Sequence, residues 1–217
     1  MDFLKNNVVV FGDSYSTFEG FVPDGYWIYY SEKECPETDV TQVSQTWWHQ
    51  VIQDANLNLV MNNSWSGSTI GYTGYDNADC SKTNSFIYRL RQLIENGFFE
   101  ENKIDTVFVF GGTNDSWSNA PLGEIKHSNW EEKDLYFVLP AICYFLNLLK
   151  GTLPNTKIYC LLNTEIKPQI TDCMKVVCEK IGTTPVEFDS IDKNCGHPTI
   201  KGMKDIADIV IRTLNNK

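Results

Sequence analysis

The sequence predicts an α/β fold, a parallel sheet covered by helices on both faces, and three observations carry that expectation. Short continuous apolar runs such as Val8-Val9-Val10-Phe11 recur along the chain, as strands buried on both faces require. Segments with helical periodicity alternate with these runs, which implies right-handed crossovers. Four blocks rich in glycine, serine and asparagine, the last built on a histidine, fall just after predicted strands. Those are the carboxyl ends at which open α/β sheets bind ligands.

The elements follow in order. Val8 to Phe11 is the first strand, and Ser44 can cap a helix running to about Ala55. Leu57 to Met61 reads as the second strand. A helix over 85–95 places Phe86, Leu90 and Leu93 on one stripe and stops at Gly97. Ile104 to Phe110 is a third strand. Pro140 suits the first turn of a helix to Lys150, with Gly151 as its stop. Lys157 to Leu162 is a fourth strand, and Pro168 opens a helix with Ile170, Met174, Val177 and Ile181 inward. Pro185 to Phe188 is a short fifth strand. The last helix, about 199–214, turns Ile200, Met203, Ala207 and Val210 to the core.

With 217 residues, 42% hydrophobic and 21% charged, the chain fits one globular domain over residues 1–217. Two irregular stretches, about 17–43 and 116–130, read as loop insertions, and loops of that length are commonly functional. The net charge of −10 argues against nucleic acid and anionic membrane as partners, since both would repel it. No run approaches the ~18 apolar residues of a membrane span. Met1 to Asn7 is polar and leads directly into the first strand, so no signal peptide and a cytoplasmic location are expected. Seven cysteines, with no Cys-x-x-Cys pair, read as reduced and mostly buried thiols. Cys173 and Cys178 lie off one shared helical face, so no zinc site is expected, nor any other metal or cofactor. Cys195, two residues before His197, is the cysteine to watch for reactivity.

The blocks are Gly12-Asp13-Ser14, Asn63-Ser64-Trp65-Ser66-Gly67, Gly111-Gly112-Thr113-Asn114-Asp115 and Gly196-His197-Pro198. They supply a serine to attack an acyl carbon, a histidine to take its proton, and a glycine and an asparagine to stabilise an oxyanion. A serine hydroxyl is a poor nucleophile without such a base. Among three histidines, His49 falls mid-helix beside two tryptophans and His127 in a polar loop, whereas His197 sits in a turn above a strand end. Ser14 stands at the corner after a buried strand, while Ser16, Ser64, Ser66 and Ser68 suit turn chemistry. Gly67 allows close backbone approach to substrate, and Asn114 offers an amide donor. Asp13 reads as an acceptor for loop N–H groups and Asp115 as a cap on its own turn or the backbone that follows.

On Phe11-Gly12-Asp13-Ser14-Tyr15-Ser16, Gly67, Gly112-Thr113-Asn114-Asp115 and His197-Pro198, the chain resembles the SGNH hydrolase superfamily, also called GDSL esterases and lipases. The resemblance spans nearly the whole length. It implies a flavodoxin-like three-layer α/β/α sandwich whose five parallel strands run in the order 2-1-3-4-5. It also implies Ser14 as nucleophile, His197 as base, and an oxyanion hole of the Ser14 and Gly67 N–H groups with the Asn114 amide. One departure stands out. The family usually carries an aspartate three residues before the histidine, a position held here by Asn194, with Asp192 five before and Asp189 eight before. The expectation is that residues 192–196 bulge so that Asp192 reaches the imidazole. The alternative is a dyad whose histidine is held by a backbone carbonyl or by Asn194.

Aromatic residues crowd the two insertions and the second block, among them Trp27, Trp65 and Trp117 as candidate substrate contacts. Flat rings with polar edges suit sugar faces, although they also anchor loops by packing. The expected activity is that of a serine esterase on small acyl esters, first a carbohydrate O-acetylesterase. Alternatives are a thioesterase or lysophospholipase and, from another class, an inactive glycan-binding module. The expected partner is a small-molecule or glycan ester; oligomeric state is not readable from the sequence.

Overall fold

A computed structural model describes residues 5–216, so part of the stretch read as lacking a leader, residues 1–4, lies outside the described residues. Strands β1 (Asn7–Gly12), β2 (Asn58–Ser64), β3 (Thr106–Phe110), β4 (Lys157–Leu162) and β5 (Thr184–Glu187) form one parallel sheet. Their order is β2-β1-β3-β4-β5, as the resemblance implies. A two-residue hairpin, β6 (Lys193–Asn194) and β7 (His197–Pro198), stands apart from the sheet.

Alternation of side chains between two covered faces explains why the central strands β1, β3 and β4 are mostly apolar, whereas the edge strands β2 and β5 carry polar residues. Val9 and Phe11 of β1, Val107 and Val109 of β3, and Ile158 and Cys160 of β4 face one helical layer. That layer contains α2 (Phe86–Glu95), α5 (Val138–Thr152) and α6 (Pro168–Ile181). Val8, Val10, Phe108, Phe110, Tyr159 and Leu161 face the other layer, made by α1 (Trp47–Asp54) and α7 (Ile200–Asn215). Each fully buried aliphatic or phenyl side chain contributes about 1.5–3 kcal/mol, so both layers are firmly seated. Two short helices, α3 (Phe98–Glu101) and α4 (Thr113–Trp117), complete the set. Among the described residues no helix is long and apolar enough to cross a membrane.

Several boundaries differ from the sequence reading. Residues 43–45 form a separate 3-10 turn, and α1 starts only after Thr46. Pro140 falls in the first turn of α5 as expected, as its third residue, but α5 runs through Gly151 to Thr152 before Leu153 ends it. Strand β2 extends three residues beyond Met61, carrying the second block out to the edge of the site. Ile200 is the first residue of α7 and is exposed; Ile206 takes the expected inward place beside Met203, Ala207 and Val210.

Candidate active site

Strand β1 delivers the first block. Asp13 caps a single 3-10 turn, Ser14–Ser16, its Oδ1 accepting from the Tyr15 N–H at 3.0 Å. Gly12 permits this corner because a Cβ there would lie 2.5 Å from both Ser16 Cβ and Ser64 Oγ. The Asn62 amide donates to the Ser16 carbonyl, and Trp47 Nε1 to Ser16 Oγ, fixing the turn from below.

Hairpin β6–β7 delivers the histidine. Asn194 pairs with His197, leaving Cys195 and Gly196 as a two-residue loop with φ of 47° and 80°. Two consecutive left-handed residues are what a type I′ hairpin turn requires. Within that turn His197 Nε2 lies 3.0 Å from Ser14 Oγ, and Nδ1 lies 3.2 Å from the Cys195 carbonyl oxygen. A carbonyl only accepts, so Nδ1 carries the proton and Nε2 offers its lone pair to the Ser14 hydroxyl. Burial, the largest influence, holds His197 below its ordinary pKa and keeps it neutral; the Cys195 carbonyl acts in the opposite sense.

Asp192 does not meet this histidine. Its carboxylate accepts from Thr199 Oγ1 and its carbonyl from the Thr199 N–H, fastening the start of α7. The expected bulge is absent because the tight turn leaves no slack to carry Asp192 back. Asn194 also points away, its amide donating to the carbonyl oxygens of Glu37 at 3.2 Å and Pro36 at 3.4 Å. Of the three partners the sequence allowed, Asp192, Asn194 and a backbone carbonyl, the one beside the imidazole in this structure is a backbone carbonyl, that of Cys195.

The second and third blocks meet beside Ser14. Asn114 Nδ2 donates to the Ser68 carbonyl at 3.0 Å and Oδ1 accepts from the Tyr75 hydroxyl at 2.8 Å, which fixes the amide's orientation. One Nδ2 hydrogen remains. Gly67 is left-handed, with φ of 79° and open space where a Cβ would sit. Among the described residues neither the Gly67 nor the Ser14 backbone N–H donates to a protein acceptor. Asp115 accepts from the N–H groups of Ile70 and Gly71, so it braces the segment after the second block.

Arg89 of α2 binds these pieces together and escaped the sequence reading. Its fully buried guanidinium donates to Asn63 O and Oδ1, Gly12 O, Ser68 Oγ and Asn84 O. The signal was its place between Phe86 and Leu90 on the inward stripe. Asp13 and Asp115 are also fully buried, and desolvation first of all pushes their carboxyl groups up to about 7 and about 6.

The aromatic residues divide. Trp27, 70% exposed, and Trp65 line a cavity of about 420 Å³ together with Gly67, Tyr75 and Cys80. Trp117 stands on the other side, its ring edge-on to His197 at 5.6 Å. A cavity of about 600 Å³ at the opposite end of the sheet, beside Asp105 and Thr156, contains none of these groups. Among the described residues no three His, Cys, Asp or Glu side chains cluster as metal ligands.

A parallel sheet with a serine–histidine contact at its carboxyl edge places the protein with the hydrolases. The GDSL-like Lipase/Acylhydrolase family model matches residues 6–214, and the chain belongs to that family. It is similar to a protein of Bacteroides ovatus described as a GDSL-like lipase, at 40% identity and a TM-score of 0.90, covering 98% of this chain and 99% of that one. A counterpart from Bacteroides uniformis gives 40% identity and 0.90, covering 98% and 97%. The fold is shared, at 18% identity and a TM-score of 0.63, with an acetyl xylan esterase of Butyrivibrio proteoclasticus, covering 97% of this chain and 63% of that one. No curated protein matches the chain.

Proposed function

We propose that the protein is a serine esterase that works through a Ser14–His197 dyad, with carbohydrate O-acetyl esters as its first substrate class. The observation that carries this reading is the 3.0 Å contact between Ser14 Oγ and His197 Nε2, next to two backbone N–H groups without protein acceptors.

His197 Nε2 takes the Ser14 proton as Oγ bonds to the acyl carbon. The carbonyl π pair moves onto oxygen, and the resulting oxyanion accepts from the Ser14 and Gly67 N–H groups and the free Asn114 Nδ2 hydrogen. The imidazolium then protonates the departing alcohol oxygen as its bond to carbon breaks, leaving an acyl-Ser14 ester. Water, deprotonated by the same imidazole, attacks that ester, and Ser14 leaves with the proton returned. The Cys195 carbonyl keeps Nδ1 protonated throughout and so holds the imidazole in the productive tautomer.

The carbohydrate assignment draws on Trp27 and Trp65 beside Gly67 and on Trp117 beside His197, rings that can pack on sugar faces to either side of the reacting ester. The cavity of about 420 Å³ favours a second reading, esters or thioesters of longer acyl chains, since an acetyl group would leave most of it unfilled. A panel of acetylated xylo-oligosaccharide, p-nitrophenyl acetate, p-nitrophenyl octanoate and octanoyl-CoA separates them. The proposal expects the highest kcat/KM on the acetylated oligosaccharide, lost in Ser14→Ala. Preference for either octanoyl substrate would replace it with the second reading.

A further inference from the structure

Four aromatic rings surround the imidazole of His197. Tyr29 lies face to face with it, ring centroids 3.6 Å apart and planes 8° from parallel. Tyr15 is tilted at 5.5 Å, Trp117 edge-on at 5.6 Å, and Tyr30 edge-on at 6.4 Å. Among the described residues no carboxylate bonds to either ring nitrogen.

We infer that the π face of Tyr29 stabilises the imidazolium that forms on His197, in the role a carboxylate would otherwise hold. This rests on the serine–histidine reading above and goes beyond it. The chemical need is plain. Burial disfavours the cation that the base must become, and the Cys195 carbonyl supplies only a dipole. An aromatic face carries partial negative charge, and a cation against it in a desolvated site is stabilised strongly enough to change a rate by roughly 2- to 30-fold.

The way Tyr29 is held fits that role. Its N–H donates to Thr17 Oγ1 at 2.8 Å, and the Thr17 hydroxyl donates to the Ser14 carbonyl at 3.1 Å. The stacked ring is thereby referenced to the nucleophile's own backbone. Tyr30, the next residue, donates its hydroxyl to the Pro198 carbonyl, just past the histidine. The Tyr29 hydroxyl, by contrast, is buried with no partner among the described residues, and burial raises it to about 12, so it is a neutral phenol. Its ring, not its hydroxyl, is what the site uses.

Other charges face the imidazole as well. Glu37, on the same loop as Tyr29, favours the cation. Lys193, on the histidine's own hairpin, opposes it, although its ammonium is engaged by the Thr164 carbonyl and Glu165. Tyr15 and Trp117 contribute rings without charge. Tyr29 is therefore a positioning residue for the reaction, acting through His197.

Incorporation of phenylalanine and its mono-, di- and trifluorinated forms at position 29 tests this, because fluorine drains the ring face with little change in shape. Phenylalanine should match tyrosine. Across the fluorinated series log kcat should fall linearly, by about 10-fold in all, with KM constant. The acidic limb of kcat/KM should move to lower pH in step, by up to about one unit, the same 10-fold expressed as a pKa. The bulkier but electron-rich 4-methylphenylalanine should stay near wild type. A flat series, or equal loss with 4-methylphenylalanine and trifluorophenylalanine, overturns the inference. The underlying dyad reading fails separately, if His197→Ala retains turnover.

Discussion

The Tyr15 hydroxyl donates to the Gly196 carbonyl at 2.5 Å, tying the residue after Ser14 to the residue before His197. The proposed nucleophile and base come from opposite ends of the chain, and this bond is one of the few that sets their spacing directly. Tyr15→Phe removes one net hydrogen bond, worth about 1 kcal/mol, and leaves the ring in the core. We expect kcat/KM to drop by roughly 5-fold, with a melting temperature lower by about 2–4 °C. Unchanged turnover would show that the hairpin is held adequately by its other bonds, those of Lys193, Asn194 and Tyr30.

Asp192 anchors α7 and does not orient the base. Asp192→Asn should therefore keep kcat within about 3-fold of wild type and lower stability by about 1 kcal/mol, the scale of a single capping interaction. A 10²-fold loss of kcat at unchanged stability would return Asp192 to the catalytic machinery.

The pH profile follows from the neutral imidazole. Because burial lowers the His197 pKa, kcat/KM should rise with pH through one group titrating below the ordinary value of 6.5 and then stay level. His49→Ala and His127→Ala should keep that limb. A limb above pH 7 would mean that a carboxylate stabilises the cation after all.

Two buried carboxyl groups make stability depend on pH in the direction opposite to the usual acid response. The Asp13 carboxyl, about 7 in the fold against 3.8 unfolded, holds a proton that the unfolded chain has already released between those values. Its contribution to stability is therefore present at low pH and lost as pH rises from about 4 to 7, by about 4 kcal/mol for a shift of that size. Asp115 adds a smaller change of the same sign up to about 6. Asp13→Asn, which keeps the acceptor for Tyr15, should flatten the fall of melting temperature between pH 4 and 8. An unchanged slope would place the effect elsewhere.

What the sequence shows and what it hides have physical reasons. Strands β1, β3 and β4 are legible because a strand buried on both faces must be apolar at every position. The start of α1 and the end of α5 were less so, since Ser44 and Gly151 carry local preferences that the surrounding packing overrides. In the site, Gly196 signals a left-handed turn, but Cys195 beside it does not, so the hairpin that excludes Asp192 from the histidine stayed hidden. The aromatic insertions were visible as such. That Tyr29 would stack on the base rather than on substrate depends on how residues 17–43 fold back over the site, which no local pattern encodes. Arg89 was hidden for a related reason: a charge on an apolar stripe gives no hint of the carbonyl groups that will converge on it.

In the proposed mechanism Ser14 is the nucleophile, activated by His197. Treatment with a fluorophosphonate, followed by intact mass and peptide mapping, measures this most directly. One adduct should form, on the peptide containing Ser14, and His197→Ala should slow labelling by at least about 10²-fold. Ser14→Ala should abolish it. Labelling that persists in Ser14→Ala, or that maps to Cys195, would contradict the account.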